Sequence, residues 1–106
     1  MLDKTPLHVE VATPDATTIR LALSGDLDFG SAAQLSALTF APGYRRLDLD
    51  LSGLAFIDSS GLAALVRLHR EAAGADADLH VVALTPYLRN LMRMTALDRL
   101  FSLPPA

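Results

Sequence analysis

The chain of 106 residues contains no cysteine, which excludes disulfides and thiolate metal sites and fits a reducing compartment. It also lacks an excess of basic charge. Nine Lys and Arg stand against twelve Asp and Glu, a net charge of −3. A protein that binds nucleic acid by neutralising phosphates carries a basic stripe, so no nucleic acid is expected as a partner. Arg67, Arg70, Arg89, Arg93 and Arg99 fall at helical or loop positions and read as solvated faces. No apolar run reaches the length that spans a bilayer, so membrane insertion is not expected. Met1 to Pro6 lack the basic start and apolar stretch of a signal peptide, and a cytoplasmic location is the expectation. There is no internal repeat, and the six Gly and six Pro are scattered as punctuation.

Half of the residues (51%) are hydrophobic and 20% are charged, the composition of a globular domain. One domain over residues 1–106 is expected, with its core from about 7 to 103. A domain of this size hides roughly 65% of the surface that its unfolded chain exposes.

Leu7 to Val11 alternates apolar and polar residues and predicts a strand, with Thr18 to Leu23 as its hairpin partner after a turn at Pro14-Asp15. Ser24-Gly25 reads as a break, which leaves Asp26 and Asp28 in a loop, with Asp28 or a neighbour able to cap a helix. Ala32, Ala33, Leu35, Leu38 and Phe40 form the buried stripe of that helix, which Pro42-Gly43 ends. Arg46 to Leu51 has a period of two, with Leu47, Leu49 and Leu51 on one face and Asp48 and Asp50 on the other. After a second break at Ser52-Gly53, Leu54 to Ile57 leads into a helical pattern through Leu62, Leu65, Val66, His69 and Ala73, with Gly74 as its stop. Leu79 to Leu84 predicts a buried strand, and Thr85-Pro86 predicts the start of a helix with Tyr87, Leu88, Leu91 and Met92 inward. Leu100 to Leu103 reads as a last short strand. The fold class is therefore α/β, a mixed sheet of about five strands with helices mainly on one face.

Asp58, Ser59, Ser60 and Gly61 stand where the central strand hands over to a helix. The first amides of a helix have no intrahelical partner and carry partial positive charge, so a hydroxyl held there is well placed to carry a phosphate. Ser59 is the candidate switch. Asp58 reads as the N-cap, Ser60 as a residue of the first turn that bonds backbone and as a backup acceptor, and Gly61 as a point of close approach.

These residues carry a resemblance. Leu23 to Asp28, Leu49 to Leu62, Gly74 to Ala83, and Thr85-Pro86 with Leu91, Met92 and Leu97 to Phe101 follow in order, and together they resemble the STAS domain. More narrowly, the chain resembles the free-standing bacterial anti-sigma factor antagonists over nearly its whole length. The resemblance implies a phosphoprotein of transcription regulation, cytoplasmic and monomeric when free. Its partner would be a serine-kinase anti-sigma factor that phosphorylates Ser59, and a metal-dependent serine phosphatase would reverse the step. It implies a partner surface made of Asp26, Asp28, Asp58, Ser59, Ser60, Gly61 and Leu62. Phe29 departs from the family, which favours a smaller or polar residue there, and Asp26 is one methylene shorter than the more frequent Glu.

No enzyme is expected. Asp26 and Asp28 have no companion base or metal-ligand cluster, no Gly-x-Ser-x-Gly elbow surrounds Ser59, and no Gly-rich loop with a Lys is present to hold a nucleotide. His8, His69 and His80 stand at unrelated positions and read as packed or half-exposed histidines. No metal and no cofactor are expected. The alternative function is a STAS accessory subunit of a transporter or signalling scaffold that does not control a sigma factor.

Overall fold

The computed structural model describes residues 5–105; Met1 to Lys4, part of the segment read above for a secretion signal, lie outside the described residues. Four strands form one sheet in the order β1-β2-β3-β4: β1 is His8–Asp15, β2 Thr18–Leu27, β3 Arg46–Ile57 and β4 Asp78–Leu84. β1 and β2 pair antiparallel, while β2 with β3 and β3 with β4 pair parallel. Helices α1 (Ala32–Ser36), α2 (Ser59–Gly74) and α3 (Pro86–Met94) provide the crossovers and the cover.

The alternation read in the sequence becomes a row across the sheet. Leu21, Leu49 and Val81 stand side by side in register and are buried. One position earlier, Arg20, Asp48 and His80 form the opposite row, toward solvent. Leu65 and Leu68 of α2, Leu88 and Met92 of α3, and Leu35 of α1 close the core over the apolar face. Each such leucine removed from water contributes about 1.5–3 kcal/mol. His69 packs edge-on to Phe101 at 5.6 Å between ring centroids.

Several expectations need correction. Neither Ser24-Gly25 nor Ser52-Gly53 breaks a strand: β2 and β3 run through both, with register shifts between Ala22 and Ser24 and between Gly25 and Asp26. The glycines permit these irregularities. Gly25 has φ +87°, and a Cβ there would lie 2.1 Å from the Pro6 carbonyl oxygen; at Gly53 a Cβ would lie 2.8 Å from Ser24 Cβ. Asp26 consequently belongs to β2 and not to a loop.

The first helix is only five residues long, and Leu38 and Phe40 pack half-buried beyond its end. Pro42 has no amide to extend the ladder, and a helix this short gains little from its own hydrogen bonds. The left-handed residue after α2 is Asp76, φ 57°, in place of Gly74, which remains helical. Asp tolerates that conformation better than most residues, since its short side chain can bond locally. The fifth strand shrinks to one bridge between His80 and Ser102, with the Val81 amide donating to the Ser102 carbonyl at 3.0 Å. A 3₁₀ turn at Leu97–Arg99 precedes it and Pro104-Pro105, lacking amides, follow it. Thr85 and Pro86 start α3 as expected, the Thr85 Oγ1 accepting from the Leu88 amide at 3.1 Å. Tyr87, read as inward, is instead exposed.

Candidate functional site

The site lies where β2 and β3 end together, with Leu27 and Ile57 in register. Asp58 follows in extended conformation, φ −111° and ψ −174°, and caps α2. Its Oδ1 accepts from the Gly61 amide at 2.9 Å, and its Oδ2 accepts from the Phe29 amide at 3.0 Å. Its own amide donates to the Leu27 carbonyl at 3.3 Å. One carboxylate thus joins the start of α2 to the loop that follows β2.

Gly61 makes this possible. A Cβ at that position would lie 2.2 Å from the Leu27 carbonyl oxygen and 2.7 Å from Ile57 Cγ1, so the first turn of α2 presses directly on β2. Ser59 opens the helix and is exposed. Among the described residues its hydroxyl has no hydrogen-bond partner. Ser60 is half-buried in the first turn, and the backbone bond expected of it is not made among the described residues. Leu62 and Val66 are half-buried and Ala63 exposed along the next turns, whereas Leu65 and Leu68 belong to the core.

The two aspartates of the preceding segment are held by their own chain. The Asp26 Oδ2 accepts from the Thr5 amide at 3.1 Å, and the Asp26 amide donates to the Thr5 carbonyl at 3.0 Å, a two-point clamp on the segment before β1. Asp28 is only 5% exposed. Its Oδ1 accepts from the amides of Gly30 at 2.9 Å and Ser31 at 3.2 Å, which folds residues 28–31 into a tight turn ahead of α1. Asp28 therefore shapes the loop and is buried in doing so. The hub that sequence reasoning missed is Ser31, whose hydroxyl donates to the Asp26 carbonyl at 2.8 Å and accepts from the Asp28 amide at 3.0 Å. Its signal was the Asp-x-x-Ser spacing. Phe29, at the tip, is 84% exposed.

Neither Asp58 nor Ser59 has a base or a cation as neighbour in any contact described above. Among the described residues no three His, Cys, Asp or Glu are grouped to hold a metal ion. His8 is exposed beside Glu10 at 3.7 Å, and His80 lies on the solvent face of the sheet. An apolar cleft of about 390 Å³, lined by Val11, Ile19, Phe40 and Tyr44 among others, sits at the opposite end of the sheet, by the β1–β2 turn. Among the described residues no helix is long and apolar enough to cross a membrane.

The fold and the site together define a class: an α/β domain, covered on one face, that presents a capped helix start and an exposed serine at the end of its parallel strands. The chain belongs to the STAS domain family; the family model described as "Mlab, STAS domain" matches residues 11–104. Among solved structures it is similar to the anti-sigma factor antagonist SpoIIAA in its unphosphorylated form, with a TM-score of 0.71 and 18% identity over 93% of this chain and 89% of that one. It is similar to an anti-sigma factor antagonist from Mycobacterium paratuberculosis, with a TM-score of 0.76 and 24% identity over 94% of this chain and 86% of that one. The phosphorylated form of SpoIIAA from Bacillus matches with a TM-score of 0.66 and 19% identity, covering 92% of each chain. At these identities the likeness is one of fold.

Proposed function

We propose that this chain is an anti-sigma factor antagonist, a binding protein without catalytic activity of its own. Its partner is a serine-kinase anti-sigma factor, and phosphorylation of Ser59 switches the contact off. The observation that carries the reading is the exposed Ser59 hydroxyl, unbonded among the described residues, on the first residue of a helix whose cap is already satisfied by Asp58.

In the kinase step Ser59 Oγ attacks the γ-phosphorus of ATP. The bond from that phosphorus to the β–γ bridging oxygen breaks, ADP leaves, and the hydroxyl proton passes to a base of the kinase. A serine phosphatase returns the hydroxyl by attack of water on phosphorus, releasing inorganic phosphate. The nucleotide belongs to the partner.

The switch acts by charge. A phosphoserine adds about −1.5 to −2 charges at neutral pH. Two unit charges ~6 Å apart at an effective dielectric of 20–40 repel by roughly 1–3 kcal/mol, and each ~1.4 kcal/mol is tenfold in affinity. The unpaired amides at the start of α2 accommodate the phosphate in the free protein, so modification opposes docking without unfolding the domain. The docking surface is Ser59, Ser60 and Leu62 with the outer edge of Asp26 and Asp58, while Asp28 and Gly61 hold its shape. The free protein is a cytoplasmic monomer comprising one STAS domain.

The test is incubation with a purified serine-kinase anti-sigma factor encoded in the same genome, with ATP, followed by mass spectrometry. One phosphate on Ser59, absent from Ser59→Ala, is expected. Phosphate retained by Ser59→Ala contradicts the assignment, and stable binding to a transporter ATPase with no phosphate transfer favours the accessory-subunit role.

A further inference from the structure

Asp58 divides its carboxylate between two elements. Oδ1 caps α2 through the Gly61 amide, and Oδ2 holds the Phe29 amide 29 residues away in sequence. Phe29 lies between Asp28 and Gly30 on the turn that Asp28 organises, and it is the most exposed large apolar side chain among the described residues. An aromatic held outward on a hydrogen-bonded turn has most of its apolar surface to bury and a backbone already ordered before docking, the profile of a binding anchor. The side chain that fixes its backbone is the immediate neighbour of Ser59.

We propose, on the reading of Ser59 as the modified residue, that Asp58 is a positioning residue linking Ser59 to the Phe29 turn, so that a phosphate on Ser59 releases Phe29 from its docking position. Phosphate oxygens are strong acceptors, and on the first residue of α2 they compete for the Gly61 amide that Asp58 now serves. The added negative charge also repels the adjacent carboxylate. Because both carboxylate oxygens move as one rigid group, displacing Oδ1 from Gly61 carries Oδ2 away from Phe29. The bonds from Gly30 and Ser31 to Asp28 do not involve Asp58, so the turn loosens at Phe29 and keeps its base. Phosphorylation then removes an apolar anchor as well as adding charge.

The test needs no partner. Isotope-labelled protein is prepared unmodified, with phosphoserine encoded at position 59, and as Asp58→Asn, and amide hydrogen exchange is followed by NMR. Asn caps helices about as well as Asp, yet its single side-chain oxygen cannot serve the Gly61 and Phe29 amides together without sharing. The Phe29 amide is expected to exchange about tenfold faster in both altered proteins, the equivalent of losing one net hydrogen bond, while the Leu49 and Leu65 amides keep their protection. Equal protection of Phe29 in the unmodified and phosphoserine proteins overturns the proposal. So does release by phosphoserine that Asp58→Asn fails to reproduce, since Asp58 is then not the link. Encoding the phosphoserine separates this test from the question of which kinase, if any, modifies Ser59.

Discussion

Replacing Gly61 by Ala tests the packing on which the site depends. The added Cβ falls 2.2 Å from the Leu27 carbonyl oxygen, and that atom is backbone, unable to swing aside. The same carbonyl accepts from the Asp58 amide at 3.3 Å and lies at the last paired position of β2 and β3. Relief therefore requires α2 to lift away from the sheet or the ladder to shift. Overpacking of this kind costs about 1–3 kcal/mol, against which Ala regains at most about 1 kcal/mol of helix propensity. Because the obstructing atom is backbone, the cost falls in the upper part of that range, and the net loss is about 1–2 kcal/mol, or roughly 5–15 °C in Tm for a domain of this size. Gly74→Ala is the internal control: nothing lies within 4 Å of its Cβ position, and the residue is helical. That substitution is expected to raise stability by about 0.5 kcal/mol. Calorimetric melts of the two variants in one buffer are expected to move in opposite directions. A Gly61→Ala protein that melts at or above the parent refutes the close contact between α2 and β2, and with it the support for Asp58.

Two further perturbations follow from local geometry. Thr85→Ala removes the acceptor for the Leu88 amide and is expected to cost about 1 kcal/mol in urea denaturation, with most of it restored by Thr85→Ser; no loss would show that Pro86 alone starts α3. The Thr17 amide, and next the Thr18 hydroxyl, hold the Asp15 carboxylate below its ordinary pKa of 3.8. A carboxylate lowered in the folded state contributes its stability above the ordinary value and loses it as pH falls through the lowered one. The Tm difference between the parent and Asp15→Asn is accordingly expected to be constant near neutrality and to shrink below about pH 4, and a difference that does not change down to pH 2 contradicts the turn geometry.

What could be read from the sequence was whatever a short stretch decides alone. Leu47, Leu49 and Leu51 face inward because a strand has a period of two, whatever lies beside it. Thr85-Pro86 and Asp58-Ser59 announce helix starts because capping is a matter of three or four residues. Three of the misreadings required a second segment. Gly25 and Gly53 look like breaks until β2 and β3 are laid together and each glycine is seen to make room for a neighbour. Leu100 to Leu103 has the composition of a strand but only one position from which it bridges to β4. The bond from the Phe29 amide to Asp58 had no local signature, since it joins residues 29 apart. Ser59 was visible as a candidate, but its exposure depended on Gly61 seating α2 so that the helix start stays at the rim.

The central claim is that negative charge placed on Ser59 prevents docking. Its most direct measurement is the Kd of one purified serine-kinase anti-sigma factor for the unmodified chain and for the chain carrying phosphoserine at 59, by titration calorimetry at fixed ionic strength. The account requires the modified chain to bind at least about tenfold more weakly, with the gap narrowing as salt is raised. Equal affinities at low salt would contradict it.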